Sequence, residues 1–357
     1  MKVCIVGGGL ISLVLAKALV NKGIYVDIYL NQKFKSPNKS RTLGISKDNI
    51  QYLNKNILNV EKILWKINKI EIYNKNLKNE KVLNFENNED QLFSIIKNQD
   101  LHTILIKKLN RTKFFKYKKN IQKKDLHNKD YNLFINCDPN NFITKKFFYK
   151  QMNKKYNSHA HTLIIKHKSI LNNNTAVQIF TNIGPMAFLP ISNKETSVVY
   201  SVKGNKNVDL TNLIKKYNMK YSITQISESC SFELKSSNLR YQHHNNILAF
   251  GELLHKLHPL AGQGFNMSLR DIKVLMDLIK FKIDHGLELD KSVCLDFEKK
   301  TRHKNYLFSN SIDFIYEFFK LENKINNPIL SKSIQYLGKN KLVNEFFIKF
   351  ADKGILI

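Results

Sequence analysis

The residues best suited to chemistry lie in LHPLAGQGFNMSLRD, Leu257 to Asp271, entered through the apolar segment Ile247–Gly251 and Glu252. Pro259 fixes φ, while Gly262 and Gly264 on either side of Gln263 permit backbone conformations that a Cβ would forbid. In such a turn, main-chain N–H groups at a helix N-terminus can approach a flat or anionic ligand closely. Asn266 and Ser268 add polar side chains, and Leu269, Ile272, Val274 and Leu275 continue with helix-like apolar spacing. The pattern predicts a short strand, a glycine turn and a helix. A ligand site and an ordinary strand-to-helix turn both satisfy it. His255 and His258 are three apart, but no third ligand type lies nearby, so a metal site is not expected there.

A second glycine cluster opens the chain. Lys2–Val6 reads as an apolar strand, followed by Gly7-Gly8-Gly9-Leu10-Ile11-Ser12 and by apolar residues at Leu13, Leu15, Ala16, Leu19 and Val20. Gly23 ends that helix, and Ile24–Leu30 reads as a second strand. A βαβ unit of about thirty residues is the setting in which a dinucleotide fingerprint is credible. Its third small position is Ser12, where a hydroxymethyl group enters a crowded point. The acidic residue expected at the tip of the second strand is replaced by Leu30 and Asn31, and Asp27 lies inside the strand. A bound dinucleotide and a fold without one both remain compatible with this segment.

Around these elements, 357 residues allow two domains with real cores, and a hydrophobic fraction of 43% excludes a disordered chain. The net charge of +29 comes from Lys scattered together with Asn rather than from one basic tail. Compositional drift, attraction to anionic lipid and nucleic-acid binding compete to explain it. The Asn excess favours the first, since Asn carries no charge, and no nucleic-acid partner is expected. Cys4, Cys137, Cys230 and Cys294 are far apart and form no CxxC pair, which points to a reducing compartment without disulfides or zinc. Glycines interrupt the apolar N-terminus and no uninterrupted stretch would span a bilayer. A cytoplasmic protein is expected, with a peripheral place on the inner face of the cytoplasmic membrane as the further option.

Taken together, the two glycine segments resemble those of the FAD-dependent aromatic hydroxylases of the para-hydroxybenzoate hydroxylase fold, and most closely the ubiquinone-biosynthesis hydroxylases. Four further stretches carry the resemblance: Arg41-Thr-Leu-Gly-Ile-Ser46 with Asn49, Ile50 and Leu53; Leu92–Leu109; FTNIGPMAFLPIS within Thr175–Tyr200; and the stretch from Arg302 through Phe308 and Phe314 to Gly354. The resemblance implies a glutathione-reductase-type FAD domain, α/β and Rossmann-like, from 1–68, 99–152 and 243–300. A β-sheet substrate domain would come from 69–98 and 153–242, and C-terminal helices from 301–357. It implies a monooxygenase that hydroxylates the aromatic ring of a polyprenylated phenol or quinol through a flavin hydroperoxide, with NAD(P)H as reductant. No side-chain acid or base is assigned.

Carried over by position, Gly7, Gly9 and Ser12 would face the FAD pyrophosphate, with Asp138 in the place of the family's Asp-Gly segment. Arg41 would lie along the cofactor. Glu252, after Gly251, stands where the family has Asp and would accept from the ribityl chain. Pro259, Gly262, Gln263, Gly264, Phe265 and Asn266 would line the isoalloxazine. Met186, Phe188 and Pro190 would form the substrate wall. The departures, Ser12, Leu30 and Asp138-Pro139, fall on the adenosine and pyrophosphate side, so FAD is expected to bind more weakly than usual. A degenerate accessory subunit of a quinone-synthesising assembly is the alternative. The tail, with Phe314, Ile315, Phe318, Phe319, Phe346, Phe347, Ile348 and Phe350 among lysines, suits both core packing and an anionic membrane surface.

Overall fold

The computed structural model describes residues 1–30, 38–75, 80–87, 91–204, 208–258, 262–325 and 329–354. Among these, the strands form three sheets. The first is built on the predicted βαβ unit. Lys2–Val6 pairs in parallel with Tyr25–Leu30 on one side and Leu133–Asn136 on the other, Phe115–Lys119 extends the former edge, and Ile247–Ala249 extends the latter. Numbered along the chain, these five parallel strands stand in the order 3-2-1-4-5, which puts the ligand crevice beyond the carboxyl end of the first. Its inner strands Lys2–Val6, Leu133–Asn136 and Ile247–Ala249 are buried almost throughout, whereas the edge strand Phe115–Lys119 alternates with three lysines and is largely exposed. Helix Leu10–Val20 is buried along most of its length, and helices Asn98–Leu109 and Gln263–Asp284 contribute Leu101, Leu105, Leu269, Ile272 and Leu275 to the same core.

Asp27, the acid inside the second strand, belongs to that framework. Burial alone would raise its pKa. The Tyr131 hydroxyl at 2.5 Å and the Lys2 and Lys118 ammonium groups, each at 3.0 Å, overcome this and hold the carboxyl below its ordinary value. The strand pair is thereby tied to the loop before Leu133 rather than offered to a ligand.

The second sheet has nine strands and is mostly antiparallel. Its centre is the long strand Gln151–His167, flanked by Glu195–Lys203 and Cys230–Leu239. Pro185–Pro190, Thr175–Phe180, Lys69–Asn74 and Lys81–Glu86 follow outward in that order. The short strand His255–Lys256 closes the opposite edge on Ser237 and Asn238. A third, three-stranded sheet pairs Phe93–Lys97 with both Thr42–Ser46 and Trp65–Ile67, leaving Thr42–Ser46 on an edge. The chain ends in helices Lys291–Ile325, Ile329–Gly338 and Lys341–Lys353. Phe308, Ile312 and Phe319 pack there with Val82, Phe180, Leu257 and Met267, and the Phe180 and Phe319 rings stack at 3.7 Å. No helix among the described residues is long and apolar enough to cross a membrane.

Candidate functional site

One cavity of about 1710 Å³ runs from the end of the first parallel strand, past the glycine turn before Gln263, into the space between the large sheet and the C-terminal helices. Its first end is the turn Gly7-Gly8-Gly9. Gly7 has φ +113°, and a Cβ there would meet the backbone of Asp138 at 3.2 Å, so only glycine fits between the first and fourth strands. Gly9 differs: a Cβ would meet nothing within 4 Å, because the residue faces the open cavity. Helix Leu10–Val20 starts at Gly9 with no side-chain cap and no acid in its first turn, so its leading N–H groups and positive dipole end are available to an anion. Ser12 is fully buried. A close approach to the start of this helix is made by Gly251, at φ +62° in the short 3-10 turn after Ile247–Ala249, whose Cβ would meet Ile11 at 3.3 Å. Burial pushes the Cys137 thiol beside this turn up to about 12, so it is a neutral group at physiological pH.

The second end is the turn that caps helix Gln263–Asp284. Gly262 is left-handed, with φ +64°, and a Cβ there would come within 3.4 Å of the Gly44 nitrogen. This helix also begins without a side-chain cap or an acid in its first turn. Gly264, like Gly9, faces open space. Gln263, Gly264, Phe265 and Asn266 all line the cavity. Pro259 lies outside the described residues.

Asn266 is almost wholly buried, and its amide is engaged with protein. Its Oδ1 accepts from the Ser46 backbone N–H at 2.9 Å and from Asn49 at 3.0 Å, while its Nδ2 donates to the Gly44 carbonyl at 2.9 Å. Gly44 and Ser46 are the outward-facing groups of an edge strand, so one asparagine side chain substitutes for a missing neighbour. Its place in the site is to hold Arg41–Ser46 against the glycine turn.

Between the two ends, Arg41 Nη2 lies 3.6 Å from Glu252 Oε1, and Arg41 also sits over the Phe232 ring. Both side chains are substantially exposed, so the pair is loosely held and adjustable. Asp138 lines the cavity and turns the chain by accepting from Asn140 N–H at 2.8 Å. Gly7, Gly9, Ser12, Arg41, Asp138, Gly251, Glu252 and Gln263 through Asn266 thus converge on one space.

The substrate-wall residues do not. In Pro185–Pro190, Met186 and Phe188 turn away from the cavity into the core beneath the sheet, where Phe188 packs near Tyr221, and Pro190 is buried on that same parity. Pro185, Ala187 and Leu189 line the cavity instead. Successive strand residues point to opposite faces, and a shift of one residue exchanges the whole set.

Three lining residues, Asn98, His255 and His258, were not among the expected site residues. Asn98 Oδ1 and His255 Nδ1 are buried without hydrogen-bond partners, and so is Oε1 of the expected Gln263. His255 Nε2 meets the Asp271 carboxylate, whose other oxygen accepts from Asn305 at 2.8 Å. His258, between the rings of Tyr156 and Tyr316, is lowered to about 4 by burial and then by Lys154, so it is neutral at physiological pH. No group of three His, Cys, Asp or Glu among the described residues is arranged to hold a metal.

This chamber fits FAD on its own chemistry: two open helix N-termini, two glycines facing empty space, and orphaned polar atoms on the wall between them. The fold, a Rossmann-like sheet with a large antiparallel sheet and C-terminal helices, resembles that of the FAD-dependent aromatic monooxygenases. Over 94% of this chain and 99% of the other, it matches PqsL of Pseudomonas aeruginosa, described as a probable FAD-dependent monooxygenase, at TM-score 0.72 and 13% identity. It matches the p-nitrophenol 4-monooxygenase PnpA of Pseudomonas putida DLL-E4 over 99% and 98%, at TM-score 0.78 and 12% identity.

The homologues found by sequence are ubiquinone-biosynthesis monooxygenases. The mitochondrial COQ6 of Schizosaccharomyces pombe is 21% identical over 273 residues, 62% of this chain and 57% of that protein. The 3-demethoxyubiquinol 3-hydroxylase of Escherichia coli K12 is 24% identical over 152 residues, 40% and 39% of the two chains. The chain spans about half the length of the COQ6 proteins that it matches most extensively. No family model matches it.

Proposed function

We propose that this chain binds FAD along the trough from Gly7–Leu10 to Gly262–Phe265 and hydroxylates the ring of a polyprenylated phenol or quinol in ubiquinone biosynthesis. NAD(P)H would supply two electrons; one atom of dioxygen enters the ring and the other leaves as water. The observation that carries the reading is the continuity of two environments. The glycine-lined polar trough opens directly into an apolar chamber walled by Ile70, Ile72, Phe85, Val177, Leu189 and Phe318.

The N–H groups at the start of helix Leu10–Val20 would hold the pyrophosphate, and Arg41 and Glu252 would border the middle of the cofactor. The turn Gly262–Phe265 would lie against the isoalloxazine. Bound flavin supplies the redox chemistry of oxygen activation. The protein's part is to hold the ring in register and exclude water, and the apolar chamber does both for an isoprenoid tail. The domain division stated above belongs to the same reading. An accessory subunit with weak FAD binding is the second reading. It is favoured by the missing acid at the strand end, where Leu30 borders the cavity and Asp27 is consumed by Lys2, Lys118 and Tyr131.

The test is to load purified protein with FAD and measure flavin fluorescence quenching. NAD(P)H oxidation is then followed with a short-chain polyprenyl phenol, with mass spectrometry of the product. Bound flavin, substrate-stimulated oxidation and a product heavier by one oxygen are expected. No bound flavin would remove the monooxygenase reading; bound flavin without turnover would leave the accessory one.

A further inference from the structure

We propose that the outer face of the two long C-terminal helices docks on an anionic lipid bilayer, with the cavity mouth directed at the lipid. This rests on the reading above for its purpose but on separate observations for its existence. Leu307, Phe314 and Leu321 recur at i, i+7 and i+14 along Lys291–Ile325, which puts them on one exposed stripe of that helix. Phe314 is 69% exposed and Leu321 52%. On Lys341–Lys353, Leu342, Phe346, Lys349 and Lys353 recur at i, i+4, i+7 and i+11, and all four are exposed, Leu342 at 77% and Phe346 at 64%.

These helices are not loosely attached. Asp352 accepts from Asp48 N–H at 2.9 Å, and its carbonyl accepts from the Ser46 hydroxyl at 2.9 Å. Phe308 and Phe350 stack at 5.1 Å between the two helices, and Phe346 adjoins Phe350 at 6.3 Å. Each helix therefore already buries one face in the core, and the aromatic residues left outside form a second, unsatisfied face. Their burial in a headgroup region would remove a large apolar area from water.

Two features select the occupant. Phe314, Phe346 and Phe347 also line the cavity, so the apolar surface is continuous with the chamber interior, as an entry for a membrane-soluble chain requires. The exposed side chains of these two helices include Lys304, Lys320, Lys349 and Lys353, within a chain of net charge +29. Such a surface is attracted to anionic headgroups and repelled by a second copy of itself.

The experiment is flotation of the full, FAD-supplemented chain with vesicles of phosphatidylcholine alone or mixed with phosphatidylglycerol, beside the double variant Phe314→Ser/Phe346→Ser. Both side chains are exposed, so the variant should fold, and its melting temperature and flavin fluorescence report that directly. Binding to the mixed vesicles, weaker on neutral ones and reduced about tenfold or more in the variant, is expected. Equal binding of wild type and variant would assign attraction to general basic charge and overturn the docking face. No vesicle binding would overturn it too, as would self-association on sedimentation that the variant abolishes. Flavin fluorescence separates the proposals: vesicle binding without bound FAD would leave this face standing while the monooxygenase reading fell.

Discussion

Replacing Asn266 by Ala should both destabilise the protein and loosen the flavin end of the cavity. The side chain is 2% exposed and bonds to Ser46 N–H and Gly44 C=O, groups on the open edge of Thr42–Ser46. Truncation leaves the Ser46 N–H and the Gly44 carbonyl unpaired, at about 1–3 kcal/mol each, and takes from Asn49 the nearer of its two acceptors, so a loss of about 3–5 kcal/mol is expected once the vacated volume is included. Urea unfolding would read this as a lower midpoint at unchanged slope. FAD affinity should fall by at least about tenfold, because the Gly262 turn rests against Gly44. Asn266→Asp sharpens the test. It keeps the acceptor for Ser46 but turns a second oxygen toward the Gly44 carbonyl, and should be no better than Ala. A cost below about 1 kcal/mol for either variant would refute the account of this residue as a substitute strand.

Gly9 and Gly7 should separate binding from folding. Gly9→Val places its side chain in open cavity, so the melting temperature should hold while flavin quenching is lost; Gly7→Ala, at φ +113° against Asp138, should lower the melting temperature. His258 predicts acid sensitivity. Its folded value near 4 lies below the ordinary 6.5, so the unfolded chain binds more protons between those values. Its stabilising contribution, on the order of 3 kcal/mol, is present above pH 6.5 and disappears as pH falls toward 4. Unfolding free energies across that window should show a smaller slope in His258→Asn than in wild type.

The elements around the site could be read in two ways: the βαβ unit and the glycine turn before Gln263 from local pattern, and the strand and helix of Leu92–Leu109 from the family resemblance. Side-chain direction could not. Every residue from Pro185 to Pro190 is apolar, so alternation leaves no mark in the sequence, and the cavity face proved to be Pro185, Ala187 and Leu189 rather than Met186 and Phe188. Pairings across great separations were equally silent. Asn266 to Ser46 spans 220 positions, and nothing near either residue announces the other. Asp27 was readable as misplaced for a ribose. Its engagement with Tyr131, Lys2 and Lys118 depends on three-dimensional neighbours alone.

The Asn266 clamp also bears on biogenesis. The first half of the cavity is complete once the opening strand–turn–helix unit and its parallel neighbours have formed, but the outer edge of the strand at Gly44, whose other side pairs with Phe93–Lys97, has no partner until residue 266 leaves the ribosome. A nascent chain must therefore shelter an unpaired, aggregation-prone edge through more than half of its synthesis, and closing so long a loop is slow. Cofactor present during refolding should leave the early phases untouched and act only on the last one, when the two glycine turns first come together.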